Sequence, residues 1–156
     1  MIEQILLTPI GKVISGRIDI KDDYWGSEVA TIELDSSQFT EEVLDGLEEF
    51  SHVDILYHFH LLDSSKIQKG ARHPRNKQEY PKVGIFSQRR KNRPNRIGVS
   101  TCKLLRVDGL KITVQALDAI EGTPIIDIKP YMQEFGPREI VKQPNWSKEL
   151  MKEYFL

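Results

Sequence analysis

Val99-Ser-Thr-Cys-Lys-Leu-Leu-Arg-Val-Asp-Gly-Leu-Lys-Ile-Thr-Val-Gln-Ala-Leu117 reads as a β-hairpin, and the fold class follows from it. Leu110, Ile112, Val114 and Ala116 alternate with Lys111, Thr113 and Gln115, the period of a strand with one buried face. Asp108-Gly109 between the two arms supplies the positive φ angles of a tight turn. Outward from this hairpin, Ile5 to Ser15, Val29 to Leu34 and Ile125 to Lys129 have strand composition. His52 to Leu61 alternates too, with Ile55, Tyr57, Phe59 and Leu61 on one face and His58 and His60 on the other. Short helices are expected at Thr40 to Phe50, where Glu41 and Glu42 suit a helix N-terminus, and at Ser147 to Phe155, after Pro144 and Asn145. Six or seven short strands with few helices predict a mainly β chain, a barrel or a sandwich. No helices alternate with the strands and no Gly-x-Gly-x-x-Gly is present, which argues against a doubly wound nucleotide-binding sheet.

The 156 residues fit one domain with enough chain to bury a core. Cys102 is the single cysteine, so no intramolecular disulfide forms and multi-cysteine zinc sites are excluded; a reducing cytoplasm is the expected setting. The N-terminus has no basic start or small-residue cleavage site, and no apolar run approaches the roughly 18 residues of a membrane span. Neither export nor membrane insertion is expected.

The net charge of -1 conceals a segregation. Residues 1–65 hold 14 acids and 3 bases, whereas residues 66–96 hold 11 Lys or Arg and the single acid Glu79. Such a basic stretch is either a landing surface for phosphates, which Lys and Arg bind by displacing counterions, or a solvated loop. Tyr80 and Phe86 are its only aromatics available for stacking on bases.

Two loops carry more chemistry than plain connections of about two to five residues need. The first, Phe86-Ser-Gln-Arg-Arg-Lys-Asn-Arg-Pro-Asn-Arg-Ile-Gly98, concentrates Arg89, Arg90, Lys91, Arg93 and Arg96, with Pro94 and Gly98 setting its shape. Asn95 adds an amide able to hold a base or backbone edge. The second, Leu117-Asp-Ala-Ile-Glu-Gly-Thr-Pro-Ile-Ile-Asp-Ile-Lys-Pro-Tyr131, contains a turn at Glu121-Gly-Thr-Pro124 and then Asp127 and Lys129, spaced to pair on one strand face. It is either a functional loop or a salt-bridged β-turn. His58, His60 and His73 lack a nearby acidic partner in sequence and are not read as a metal site. Cys102 reads as a packing residue, and Trp146, Leu150, Met151, Tyr154 and Phe155 as an apolar stripe for core or dimer packing.

Phe50-Ser-His through Phe59-His60, Gly84-Ile-Phe86, Arg89, Arg93-Pro-Asn95, Ile97-Gly98, Gly122-Thr-Pro124 and Asp127-Ile-Lys-Pro-Tyr131 occur in an order that closely resembles the TsaA-like (TrmO) family. The resemblance covers residues 5 to 135 and implies a TsaA-like β-barrel; the whole chain, 1–156, is expected to be a single such domain, with the C-terminal helix as a tail at about 145–156. It also implies S-adenosyl-L-methionine (SAM) as cofactor, bound near the interface of a homodimer, and tRNA as substrate. In that family the acceptor is threonylcarbamoyladenosine beside the anticodon. Cofactor contacts carried over by the resemblance fall on His60, Leu61, Arg89, Val99, Ala119, Ile120, Glu121 and Gly122, with Tyr24, Trp25 and Gly26 in a further contacting segment. Trp25 or Tyr24 is a candidate to cover the sulfonium by cation–π attraction.

His60, Asp127 and Tyr131 are the candidate general bases, and Arg90, Lys91, Arg93, Asn95, Arg96 and Lys129 the candidate RNA contacts. Arg96 stands where the family usually has Pro, and Glu121 where Asp is usual. The extra C-terminal domain of many bacterial members is not expected. A SAM-dependent enzyme with a small-molecule or protein acceptor, and a non-catalytic RNA-binding barrel, are the alternative functions.

Overall fold

The computed structural model describes residues 1–156. Six strands close a barrel: β1 (Gly11–Ser15), β2 (Val29–Leu34), β3 (His52–His58), β6 (Ile97–Asp108), β7 (Lys111–Gln115) and β8 (Pro124–Pro130). Around the wall the order is β1-β2-β7-β6-β3-β8, with β8 pairing back to β1 and every pair antiparallel. Closure removes all edges from this sheet. Two short strands, β4 (Ala71–Arg72) and β5 (Val83–Gly84), form a separate ribbon within the basic stretch, and one α-helix, α1 (Asn145–Met151), lies near the C-terminus. No helix is long and apolar enough to cross a membrane.

Alternation builds the core. Val13, Ala30, Ile32, Leu34, Val53, Ile55, Cys102, Ile112, Val114 and Ile125 fill the interior. Each fully buried Ile or Val stabilises the fold by about 1.5–3 kcal/mol relative to exposure. Cys102 is wholly buried among these residues, in the packing role expected of it.

The hairpin turn differs in detail from its expectation. Asp108 is still paired with Lys111, so Gly109 and Leu110 form the loop, and Gly109 alone takes a positive φ of 61°. A glycine first in a two-residue loop is the arrangement that matches the twist of the flanking strands. The first strand is shorter than expected, beginning at Gly11: Ile5 and Leu6 have no strand to pair with and stay exposed, and Pro9 has no N–H for a ladder. At Gly11 the chains come so close that a Cβ would lie 2.3 Å from the Glu33 carbonyl oxygen. The third strand stops at His58, where Phe59 N donates instead to Arg96 O at 2.9 Å, and the expected inward Leu61 turns to solvent. The helix expected over Thr40 to Phe50 resolves into two 3-10 turns, Glu41–Leu44 and Leu47–Glu49, interrupted at Gly46 with φ 84°. The terminal helix ends at Met151, because residues 153 and 154 leave it to bond the 24–25 segment.

Candidate functional site

One end of the barrel collects segments that are scattered in sequence. The turn Ile120–Thr123 is stapled to β1: Gly122 N donates to Val13 O at 2.8 Å and Glu121 N to Arg17 O at 2.8 Å. Thr123 closes it by donating its hydroxyl to Ile120 O at 2.7 Å. Gly122 takes φ 89°, a conformation that glycine adopts without strain, and a Cβ there would stand 3.6 Å from His60 Nε2. His60 therefore lies against the second loop.

Arg17 connects this turn to the segment at Tyr24. Its guanidinium donates to Glu28 Oε1, to Asp23 O and to Tyr24 O, and lies 3.7 Å from the centroid of the Trp25 ring. Trp25 is only 5% exposed, so the cation held on its ring is Arg17, and the exposed aromatic is Tyr24, at 53%. Tyr24 has a left-handed backbone (φ 68°) and donates its hydroxyl to Glu153 Oε2; that bond holds its phenol pKa above the ordinary value.

Beneath these segments Asp118 gathers three hydroxyls. Tyr57 donates to Oδ1 at 2.8 Å, Ser100 donates to the same oxygen, and Tyr154 donates to Oδ2. Burial, then the Asp118 charge, pushes the Tyr57 and Tyr154 hydroxyls well up, so both stay protonated donors. Tyr154 also binds the Tyr24 segment through the backbone, with Trp25 N donating to Tyr154 O at 2.8 Å and Tyr24 N to Glu153 O at 3.0 Å. Gly26 lies so close to the tail that a Cβ would be 1.9 Å from Phe155 O. On the neighbouring strand Arg89 Nη2 donates to Val99 O at 3.1 Å.

The Tyr24–Gly26 segment is thus tied to the 119–122 turn through Arg17 and to the C-terminal tail through Tyr154, while His60 lies by Gly122 and Arg89 bonds Val99, the neighbour of the Asp118-bound Ser100. Arg17 and Asp118 were missed as site residues by sequence reasoning. Asp127 and Tyr131 lie elsewhere: Asp127 pairs with Leu56 in mid-strand, and Tyr131 N donates to His52 O at the end of β3 away from His60. Asp127 and Lys129 do pair, at 3.3 Å.

The basic loop turns much of its charge inward. Arg93 Nη1 donates to Gln88 O at 2.7 Å and Arg96 Nη1 to Leu62 O at 2.8 Å, while Arg90 Nη1 is buried without a partner. Lys91 and Asn95 are exposed. Gly98 is needed for space, because a Cβ there would lie 2.5 Å from the Tyr57 ring. Arg75 reaches across to Asp23, with Nη2 to Oδ1 at 2.8 Å. A surface concavity of about 580 Å³ runs along Pro9 to Lys12 and Glu33 to Ser36 and touches the second loop only at Gly122 and Pro124. Tyr24, His60, Arg89 and Val99 do not line it. No group of three His, Cys, Asp or Glu is placed to hold a metal ion.

Residues 19–136 match the family model described as the tRNA-methyltransferase O N-terminal domain. The chain belongs to the tRNA-methyltransferase O N-terminal domain family. A tRNA (adenine(37)-N6)-methyltransferase of Homo sapiens is 41% identical over 104 residues, covering 67% of this chain and 23% of the human protein. A probable S-adenosyl-L-methionine-binding protein of Pyrococcus abyssi is 37% identical over 141 residues, covering 88% of this chain and 74% of that protein. A crystal structure of TrmO from Pseudomonas aeruginosa superposes with a TM-score of 0.75 at 25% identity, over 94% of this chain and 63% of that one. The chain thus spans about a quarter of the human relative and under two thirds of the TrmO structure. Arg96 takes φ 51°, a left-handed conformation that a proline ring cannot adopt.

Proposed function

We propose that the protein is a SAM-dependent methyltransferase that N-methylates an adenosine of tRNA, the threonylcarbamoylated adenosine beside the anticodon. The observation that carries this reading is the convergence at one barrel end of the separate segments to which the resemblance assigns cofactor contact. The names of the human and archaeal relatives support it. The polar groups suit a nucleoside that carries both a sulfonium and a carboxylate: the Glu121 carboxylate and the exposed Tyr24 ring for the cation, the Arg89 guanidinium for the anion, and the backbone of the Ile120–Thr123 turn. When bound, SAM supplies an electrophilic methyl group on a sulfonium.

The residues of this chain then position the acceptor, exclude water and accept a proton. An adenine N6 carrying a carbonyl substituent has its lone pair drawn away, so loss of its proton to a base assists attack. His60 is our choice for that base, since it alone of the three candidates lies beside the cofactor segments. Tyr24, Leu61, Arg89, Val99 and Glu121 are all exposed in a single chain. Methyl transfer gains from a dry site, so a second copy of the chain is the wall we assign to it, making the enzyme a homodimer. Lys91, Asn95 and the remaining donors of Arg90, Arg93 and Arg96 face the RNA, and Lys129 a more distant phosphate.

The experiment is transfer of labelled methyl from SAM to unfractionated tRNA, with the nucleosides separated afterwards. Label in a methylated adenosine derivative, lost in His60→Ala, is the expected result. Label appearing only when small molecules or proteins are offered would replace the acceptor.

A further inference from the structure

We infer that Phe86 is a stacking platform for one unpaired nucleobase of the RNA; this rests on the tRNA acceptor proposed above. Phe86 is 79% exposed, yet it does not sit on a loose loop. It occupies the middle of the 3-10 turn Ile85–Ser87, whose first residue, Ile85, is 3% exposed. Just after the turn, the buried Gln88 side chain donates to Arg72 O and to Val83 O, both at 3.0 Å, and Gln88 O accepts from Arg93 Nη1. Backbone bonds from Gln88 N to Ile85 O and from Ile85 N to Gly70 O complete the anchorage.

An apolar ring of this size held rigidly in water gains nothing for the fold, but it offers a partner a π-face with little ordering cost. Its surroundings select the partner. The chain from 66 to 96 holds 11 bases and one acid, and exposed Lys82 and Lys91 flank Phe86 in sequence. An exposed aromatic face within a basic stretch of chain fits an anionic strand with an unstacked base, because side-chain stacking reads single-stranded loops and cannot reach bases inside a duplex. A paired helix would meet only the lysines.

The test compares two probes: an anticodon stem-loop RNA and a fully paired RNA duplex of the same length. Affinities are measured for the wild type, Phe86→Ala, Phe86→Trp and Lys91→Ala, together with mass by light scattering and SAM affinity. Phe86→Ala is expected to weaken stem-loop binding about tenfold, the scale of one lost base stack. It should leave duplex binding, mass and SAM affinity unchanged, and Phe86→Trp should restore the stem-loop. Lys91→Ala should weaken both probes alike and lower the salt dependence. Equal loss on both RNAs, no loss on either, or a change of mass in Phe86→Ala would overturn the assignment, the last by giving Phe86 to a second copy of the chain. If the wild type binds the stem-loop without dependence on Phe86, only this inference falls; if it binds neither RNA, the tRNA acceptor falls with it.

Discussion

The Arg17 guanidinium lies over the Trp25 ring at 3.7 Å while donating to the backbone carbonyls of Asp23 and Tyr24. One buried side chain therefore sets the height of the 23–25 segment above the barrel end, and its own carbonyl accepts from Glu121 N. Lysine keeps the charge but lacks the planar fork that makes these contacts together. Arg17→Lys is expected to weaken SAM binding about tenfold, ~1.4 kcal/mol, the scale of one desolvated cation–π or charged hydrogen bond. Calorimetry with SAM checks this, and an unchanged affinity would remove Arg17 from the positioning of the site.

Gly98→Ala should destabilise the fold by about 1–3 kcal/mol, the usual range for overpacking. The new methyl would meet Tyr57 ring atoms at 2.5 Å, and the ring cannot withdraw without breaking its bond to Asp118. Urea unfolding should show a lower midpoint with the same slope.

Tyr154→Phe removes one donor from Asp118 and is expected to lose about 1–2 kcal/mol at neutral pH. Because the folded state raises the pKa of this hydroxyl, its contribution is complete below the unfolded value of about 10 and is lost as pH rises beyond it. The stability gap between wild type and Tyr154→Phe should therefore narrow above about pH 10. A gap that stays constant into strong alkali would contradict the assignment.

His58 behaves in the opposite sense. Burial first, then Arg96 and His60, lowers its pKa in the folded protein, so the unfolded chain takes up the proton more readily. Stability is present above the unfolded value of about 6.5 and falls as pH drops through and below it. His58→Gln should flatten that fall between about pH 7 and pH 5, measured by thermal unfolding across the range.

Cys102 is wholly buried, and burial, then Asp118 and Asp54, push its thiol pKa well above the ordinary value. A thiol reagent at mildly alkaline pH should leave the folded protein unlabelled and react fully once denaturant is added.

Strands whose alternation coincides with available neighbours were legible in the sequence: Val29–Leu34 was read with its observed bounds, and the Asp127–Lys129 pair followed from spacing alone. Ile5 to Leu7 has the same composition but no partner strand, and composition cannot report a missing neighbour. The basic loop was read by charge, which does not tell an outward lysine such as Lys91 from guanidinium groups like those of Arg93 and Arg96 that bond loop carbonyls. Asp118 lies in the Leu117–Tyr131 loop, yet its role depends on hydroxyls from residues 57, 100 and 154, far from it in sequence. Arg17 did leave a faint trace: it is one of 3 bases among 14 acids in the first 65 residues.

Titration calorimetry of the purified protein with SAM and S-adenosylhomocysteine asks whether the gathered segments hold the cofactor. Micromolar binding that is lost in both Arg89→Ala and Glu121→Ala is the predicted result. A folded protein that binds neither compound would contradict the account.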